Sequence, residues 1–309
     1  MERNKLILSS VLAISIFCLG MISLRIELEN FLFSEYYSQP VFFSASVYAA
    51  AQKRAEAEIS APVALSAKVA EESEKILFKK DIDREMPIAS LTKLMTAWVI
   101  FEHPEYYSLK DQVYVSLEAV QRTGDCGLKE GESFPLNDFL HSMLIESCND
   151  SAFAVAEALM KDALLSSEDR IQAFVGLMNL EAEKIGLENT EFLNPSGLDI
   201  KDQVFSNSST ARDLFLLAKA IQEKHPEIFE ISIKKQAYIF NGRTAFNQNK
   251  ILSPSIIGGK TGWTEAALGC ILLVEKAEDG YFVHIVLGAE SQEARFQEAL
   301  KLIAKFSEQ

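Results

Sequence analysis

Residues 88–96 read Ile-Ala-Ser-Leu-Thr-Lys-Leu-Met-Thr, so Ser90 and Lys93 stand three positions apart just before an apolar run. Residues three apart share one face of an α-helix, and these two side chains can therefore meet at a helix start. A serine hydroxyl becomes a strong nucleophile only when a neighbouring base takes its proton. Lysine can be that base when burial or nearby positive charge lowers its pKa. Ser-x-x-Lys also occurs often by chance, so the rest of the chain must decide.

Composition bounds the classes of protein that need to be considered. The chain has 309 residues, 48% hydrophobic and 24% charged, which indicates a largely globular chain with a sizeable core. Its net charge of −14 argues against a nucleic-acid partner, because phosphate binding needs a concentrated basic surface. The four histidines are scattered, so we expect no metal and no cofactor. The spacing of the four cysteines matches no zinc pattern and implies no disulfide framework.

The N-terminal segment from Leu6 to Leu24 has no charged residue and is rich in large apolar side chains. At about 1.5 Å per helical residue, it matches the thickness of a bilayer core. Arg3 and Lys5 precede it, which favours a cytoplasmic N-terminus and an exported remainder. We predict that residues 1–24 form a single-pass membrane anchor of an extracytoplasmic protein. The alternatives are a cleaved signal peptide, which would leave a secreted or periplasmic protein, and a buried soluble helix.

Residues 25–60, with their many aromatic side chains, predict a juxtamembrane stalk, and residues 61–309 predict the globular domain. Strand-like alternation occurs near both ends of this domain, while helical periodicity dominates its middle. The predicted strands are 62–69, 75–79, 112–117, 236–240, 268–275 and 281–289. The predicted helices are 90–103, 136–145, 152–164, 172–184, 209–224 and 293–306. This arrangement favours an α+β fold whose sheet is built from distant parts of the chain.

Two further stretches carry chemistry that could serve Ser90. Ser147-Cys148-Asn149 follows an apolar helix and offers a hydroxyl, which can relay a proton, and an amide, which can bind a carbonyl. Gly258-Gly259-Lys260-Thr261-Gly262-Trp263 offers a cation and a hydroxyl between glycines that leave the backbone open to a ligand. We expect Lys260, together with the positive end of the helix after Ser90, to lower the pKa of Lys93. Each stretch is a weak signal alone.

The three motifs occur in the order Ser-x-x-Lys, Ser-x-Asn and Lys-Thr-Gly, which is typical of class A β-lactamases and penicillin-binding proteins. From about Ala61 to Phe306 the sequence resembles the low-molecular-mass penicillin-binding proteins, which are serine-type D-alanyl-D-alanine carboxypeptidases and endopeptidases. Further stretches carry the same resemblance: residues 87–97, 128–132 (Leu-Lys-Glu-Gly-Glu), 194–198 (Asn-Pro-Ser-Gly-Leu) and 209–214 (Ser-Thr-Ala-Arg-Asp-Leu).

The resemblance implies a β-lactamase/transpeptidase-like fold. In it an antiparallel five-stranded sheet is covered by helices and faces an all-helical lobe, with the active site between them. It implies that Ser90 is the acylated nucleophile and Lys93 its general base. It further implies that Ser147 passes a proton to the leaving D-alanine, and that Asn149 positions the substrate and the lysine.

The resemblance also assigns the strand that carries Lys-Thr-Gly. Lys260 and Thr261 would bind the terminal carboxylate of the substrate. After Gly262, the backbone N–H of Trp263 would form an oxyanion hole with that of Ser90. The substrate implied is a peptidoglycan stem peptide, with β-lactam antibiotics as covalent inhibitors.

Some residues depart from the family pattern. Cys148 stands where a glycine or another small residue is usual, and we expect its side chain to narrow the site slightly. Leu268 stands where a glycine usually follows Ala267. The alternatives are a D,D-endopeptidase, a class A-like β-lactamase and a catalytically silent peptidoglycan-binding module. A β-lactamase would need a Glu-x-x-Leu-Asn loop, whereas this chain has Glu191 one residue too close to Asn194, with Thr190 in the glutamate's place.

Overall fold

The structure is a computed structural model that describes residues 58–71, 73–106, 108–124, 126–159, 165–200 and 206–307. The predicted anchor and nearly all of the predicted stalk lie outside the described residues. Among the helices that are described, none combines the length and apolar character needed to cross a membrane.

The described strands, in chain order, are β1 (Val63–Ala70), β2 (Ser73–Lys80), β3 (Met86–Pro87), β4 (Gln112–Tyr114), β5 (Ser133–Pro135), β6 (Ser208–Ser209), β7 (Gln236–Ile239), β8 (Arg243–Phe246), β9 (Ile256–Thr264), β10 (Leu268–Ala277) and β11 (Gly280–Ala289). The described helices are α1 (Thr92–Glu102), α2 (Leu117–Val120), α3 (Leu136–His141), α4 (Asn149–Leu159), α5 (Ser167–Ile185), α6 (Ala211–Lys224), α7 (Glu227–Ser232) and α8 (Ala294–Phe306). A 3-10 turn (Ala89–Leu91) precedes α1, and a π-helical turn (Ser142–Glu146) follows α3.

The main sheet is antiparallel, and its strands lie in the order β2-β1-β11-β10-β9. Val63 pairs with Leu287, so the two ends of the domain meet in the middle of the sheet. The sheet built from distant parts of the chain is therefore confirmed. The strand β9, which carries Lys-Thr-Gly, lies at one edge of the sheet.

Alternation along the strands divides the core into two layers, because successive strand residues face opposite sides of a sheet. On β10, Ile271 and Leu273 pack with the C-terminal helix α8. Leu272 and Val274 face the other side and join the larger core. The helices between β3 and β9, which we call the helical lobe, share this core. The predicted α+β fold, with a helix-covered sheet and a helical lobe, is confirmed.

Several predicted boundaries change for local reasons. We expected Ser209 to cap the helix that runs to Lys224, but the cap is Thr210. Its side chain accepts the N–H of Asp213, and the helix begins at Ala211. The helix expected from residue 172 begins at Ser167, because Ser166 caps it in the same way. The strands β8 and β9 and the helix α7 were not predicted. We did not predict β9 because it contains several glycines, and glycine usually weakens strands.

The expectation that the cysteines form no disulfide was wrong. Cys126 and Cys148 are bonded, with their Cα atoms 5.5 Å apart. The prediction failed because the two residues belong to no local spacing pattern, and only the tertiary fold brings them together. Cys270 is a free and buried thiol.

Candidate active site

Ser90 lies in the 3-10 turn that leads into α1, and its side chain is only half-buried. The two residues before Ser90 show how the backbone of this turn is held. Ala89 has a φ of 47°, in the left-handed region that is rare for a residue with a Cβ. The N–H of Ile88 donates to the carbonyl of Asn207 at 3.1 Å. The nucleophile candidate therefore lies on a partly strained turn at the front of a buried helix.

Lys93 lies on the first turn of α1 and is fully buried. Its Nζ donates to Ser90 Oγ at 2.9 Å, to Asn149 Oδ1 at 2.7 Å and to the carbonyl of Ser196 at 2.8 Å. Burial lowers the pKa of Lys93 to about 7, against the opposing effect of the Asp150 carboxylate. We predicted that the helix start and Lys260 would lower this pKa, but neither is among its causes. Burial alone lowers the pKa of Lys93.

The three acceptors around Lys93 differ in a way that matters for chemistry. Asn149 Oδ1 and the carbonyl of Ser196 can only accept, whereas Ser90 Oγ can also donate. A neutral lysine has two N–H groups and one lone pair. When Lys93 is neutral, the two carbonyl oxygens take its N–H groups, and the lone pair is left directed at the hydroxyl of Ser90. The geometry thus suits proton removal from that hydroxyl.

The loop from Asn194 to Leu198 delivers the carbonyl of Ser196. Asn194 Oδ1 accepts from the backbone N–H groups of Ser196 and Gly197, at 3.1 and 2.7 Å. Gly197 has a φ of 83°, and a Cβ there would lie 1.9 Å from the carbonyl oxygen of Ala89. Only glycine fits at this position. Sequence reasoning noted the Asn-Pro-Ser-Gly stretch but missed this role.

The Ser-x-Asn motif lies at a break between two helical segments. Ser147 ends the π-helical turn with a left-handed φ of 72°, and Asn149 begins α4. Asn149 Nδ2 donates to the carbonyl of Thr123 at 2.7 Å, and its backbone N–H donates to the carbonyl of Gly124 at 3.1 Å. The amide is thus held in one orientation, with its oxygen towards Lys93.

Lys260 reaches the site from the edge strand β9 and is buried. Its Nζ donates to Ser147 Oγ at 2.8 Å and to the carbonyl of Thr261 at 2.9 Å. Burial lowers the pKa of Lys260 well below its usual value, and the positive charges of Lys93 and Arg295 lower it further. Arg295 itself donates to the carbonyl of Gly262 at 2.7 Å, a contact that sequence reasoning did not find.

Gly262 lies against the turn that carries the nucleophile. A Cβ there would come within 3.1 Å of Ser90 N, Ala89 Cβ and the carbonyl oxygen of Ile88. Thr261 is buried beside it and Trp263 is half-buried. On β10, Leu268 has a left-handed φ of 56°, which gives a physical reason for the usual glycine at that position.

The structure brings the three motifs into one cluster. Lys93 donates hydrogen bonds to Ser90 and to Asn149. Lys260 donates a hydrogen bond to Ser147. Cys148, between Ser147 and Asn149, is buried and bonded to Cys126.

The sequence model of a family described as D-alanyl-D-alanine carboxypeptidase, peptidase family S11, matches residues 50–291. This chain belongs to that D-alanyl-D-alanine carboxypeptidase family. Its Ser-x-x-Lys, Ser-x-Asn and Lys-Thr-Gly motifs all lie within the matched range.

Two curated relatives in the family illustrate the similarity. The D-alanyl-D-alanine carboxypeptidase DacC of Escherichia coli is 33% identical over 243 residues, which are 75% of this chain and 58% of DacC. DacF of Bacillus subtilis is 28% identical over 244 residues, which are 76% of this chain and 59% of DacF. The chain therefore spans little more than half the length of these relatives.

Two solved structures share the fold of this chain over nearly the whole of their own length. Penicillin-binding protein D2 of Listeria monocytogenes, in its ampicillin-bound form, is 30% identical with a TM-score of 0.68. The match covers 81% of this chain and 99% of that one. The Streptomyces K15 DD-transpeptidase shares the fold, with a TM-score of 0.70 at 24% identity over 81% of this chain and 98% of that one.

Proposed function

We propose that this protein is a serine-type D-Ala-D-Ala carboxypeptidase that acts on peptidoglycan stem peptides through an acyl-enzyme on Ser90. One observation carries the proposal: a buried Lys93, with a pKa of about 7, hydrogen-bonds the hydroxyl of Ser90. A base with a pKa near the working pH is the most effective for proton transfer. Membership of the family supplies the substrate class.

In the proposed acylation step, neutral Lys93 takes the proton of Ser90, and Oγ attacks the carbonyl of the penultimate D-alanine. The backbone N–H groups of Ser90 and Trp263 stabilise the developing oxyanion, with the contact between Gly262 and the nucleophile turn supporting their proximity. The peptide C–N bond then breaks as Ser147 gives a proton to the leaving nitrogen.

Substrate binding in this proposal rests on the edge strand. Lys260 and Thr261 bind the terminal carboxylate of the stem peptide, and Asn149 holds a substrate carbonyl as well as Lys93. Lys260 donates to Ser147 and holds that hydroxyl in the site. Ser147 recovers its proton from Lys93, which carries the one taken from Ser90. Water then hydrolyses the ester on Ser90 and restores the free enzyme. The mechanism uses no metal and no cofactor.

Penicillin would acylate Ser90 by the same route, and slow release of the penicilloyl group is expected. A class A-like β-lactamase is disfavoured, because the Thr190 hydroxyl donates to Asp213 and Glu191 is exposed in a bridge to Ser208. Thr190 has no carboxylate, and Glu191 is not at the position that the Glu-x-x-Leu-Asn loop requires.

We propose that the domain works outside the cytoplasm and is tethered to the membrane by residues 6–24. The charge-free segment behind Arg3 and Lys5 supports the tether. The Cys126–Cys148 bond supports the location, because disulfides persist in oxidising compartments. Membrane fractionation of the full chain, with and without residues 1–24, tests the tether.

The proposed activity is tested with fluorescent penicillin, a stem pentapeptide and cross-linked muropeptides. We expect the protein to label on Ser90, Ser90→Ala to stay unlabelled, and D-alanine to be released from the pentapeptide. Release of muropeptide monomers instead would assign D,D-endopeptidase activity. A wild-type protein that neither labels nor releases D-alanine would be a silent binding module and would contradict the proposal.

A further inference from the structure

The Cys126–Cys148 disulfide joins the site to a loop without regular structure. Cys148 stands between Ser147 and Asn149, the two residues of the Ser-x-Asn motif. Cys126 belongs to the connection between α2 and β5, where Gly124 and Gly127 both have positive φ angles of 73° and 79°. The bond therefore fastens a glycine-containing loop directly to the motif.

That loop orients a site residue. The carbonyls of Thr123 and Gly124 accept the side-chain and backbone N–H groups of Asn149, at 2.7 and 3.1 Å. The oxygen of the same amide accepts from Lys93 at 2.7 Å. The loop thus contacts Lys93 through one side chain, and any movement of Thr123 and Gly124 is passed to the base.

Further contacts converge on Cys126. Its N–H donates to Asp150 Oδ2 at 2.8 Å. Arg243 donates both to the carbonyl of Cys126 and to the carboxylate of Glu146. Asp150, which follows the Ser-x-Asn motif, therefore contacts Cys126 directly, and Glu146, which precedes the motif, is linked to it through Arg243. The disulfide joins Cys126 to Cys148, between these two residues.

We propose that the Cys126–Cys148 bond is a positioning element that holds Asn149 against Lys93, so that the rate of Ser90 acylation depends on the oxidised state of this bond. The inference rests on the proposed acyl-enzyme function. A dithiol supplies two electrons and two protons, which convert the bond into two cysteine thiols while the dithiol becomes a cyclic disulfide. The loop is then held by hydrogen bonds alone.

Loss of the disulfide should also change the pKa of Lys93. Among the described residues, the charged groups that interact with this lysine are Asp150 on α4 and Lys260 on β9, and Arg295 in turn interacts with Lys260. Burial is the largest cause of its lowered pKa. A loosened loop admits water, which raises the pKa of Lys93 towards its ordinary value. Acylation should then reach half its maximal rate at a higher pH.

The test measures the second-order rate constant for acylation by fluorescent penicillin from about pH 5 to about pH 10. The samples are the oxidised protein, the protein reduced with dithiothreitol, the double variant Cys126→Ser/Cys148→Ser, and Cys270→Ala as the matched cysteine control. We expect reduction and the double variant to slow acylation about tenfold at neutral pH and to raise the midpoint. Cys270→Ala should stay unchanged, and reoxidation should restore the rate.

Equal rates and equal midpoints after complete reduction would overturn the proposal. So would a slower rate with an unchanged midpoint, because that pattern indicates a loss of folded protein rather than a displaced base.

Hydrogen exchange separates this proposal from the proposed function. We expect the amides of Cys126 and Asn149 to exchange about tenfold faster after reduction, while amides in the middle of α5 stay protected. Unchanged exchange would refute the positioning role even in a protein that acylates normally. If the oxidised protein does not acylate at all, the proposed function fails, and exchange at these two amides still decides whether the bond holds the loop.

Discussion

Lys93 and Lys260 are two buried lysines of one site that are held in different ways. Lys93 belongs to the helical lobe and donates to three oxygens, two of them carbonyl oxygens supplied by Asn149 and Ser196. Lys260 belongs to the sheet edge and donates to the hydroxyl of Ser147 and to the carbonyl of its own neighbour Thr261.

Their electrostatic surroundings differ as well. The Asp150 carboxylate opposes the effect of burial on Lys93 and leaves its pKa at about 7. The positive charges of Lys93 and Arg295 act on Lys260 and, together with burial, lower its pKa. One lysine is therefore balanced for proton exchange near neutral pH. In the described part of the chain, both charges that act on the other lysine are positive, which is the environment expected of a binding site for an anion.

Replacement of Lys93 should have the largest effect. Lys93→Met keeps most of the side-chain volume but removes the base, and we expect acylation of Ser90 to slow about a thousandfold. Stopped-flow measurement with fluorescent penicillin checks this. Lys184→Met, which changes an exposed lysine at the end of α5, is the control and should leave the rate unchanged. A Lys93→Met protein that reacts within tenfold of wild type would show that another group takes the proton.

Replacement of Lys260 should have a smaller effect that depends on the substrate. We expect Lys260→Met to lower kcat/KM about 10- to 100-fold for a peptide with a free terminal carboxylate, because a charge-assisted hydrogen bond is lost. The methyl ester of the same peptide should lose much less. An equal loss for acid and ester would mean that Lys260 acts on the chemical step, as Lys93 does, and not on carboxylate binding.

Between the two lysines, Gly262 sets how close β9 comes to the nucleophile turn. We expect Gly262→Ala to slow acylation about tenfold, because the added Cβ meets backbone atoms at 3.1 Å and pushes the strand away. Gly176→Ala is the control, since a Cβ at that helical position has open space. Thermal unfolding of both variants separates displacement of the strand from loss of folded protein. An unchanged acylation rate in folded Gly262→Ala would contradict the close approach.

The smallest effect expected is a shift in the pH profile. Lys93 must be neutral to act as base, so acylation should rise with pH through about 7 and then level off. Asp150→Asn removes the carboxylate that raises the pKa of Lys93, and its midpoint should move to lower pH. Glu191→Gln, at an exposed carboxylate, should keep the wild-type midpoint and the wild-type rate of penicilloyl release. A midpoint that moves upward in Asp150→Asn would overturn this account of the lysine.

The surroundings of Lys93 on the helical lobe could be predicted from the sequence better than those of Lys260 on the edge strand β9. Ser90 and Lys93 are three residues apart on one helix start, so local spacing alone predicts that their side chains meet. The sheet built from the two ends of the domain could also be predicted, because strand-like alternation occurs near both ends. Family resemblance supplied the remaining partners of Ser90.

The features that were missed all depend on tertiary contacts. The carbonyl of Ser196 and the charge of Asp150 reach Lys93 through the fold, and nothing in their sequence neighbourhood indicates a role for a backbone oxygen. The strand β9 was missed because of its glycines, which are rare inside strands. Gly262 is needed for close approach to the nucleophile turn, whereas Gly258 and Gly259 lie against Phe229 and the strand β10. The Cys126–Cys148 bond was missed because pairing across an irregular loop leaves no spacing signal.

The position of β1 beside β11 has a consequence for synthesis. β1 leaves the ribosome early, yet its inner partner β11 is made almost at the end of the domain. Until then β1 presents an apolar, half-paired edge to whatever it meets, while the helices of the lobe can already pack locally. A nascent chain that stops before residue 280 therefore exposes a strand edge that can pair with other chains. We therefore expect the risk of aggregation to fall once β11 is complete and paired with β1.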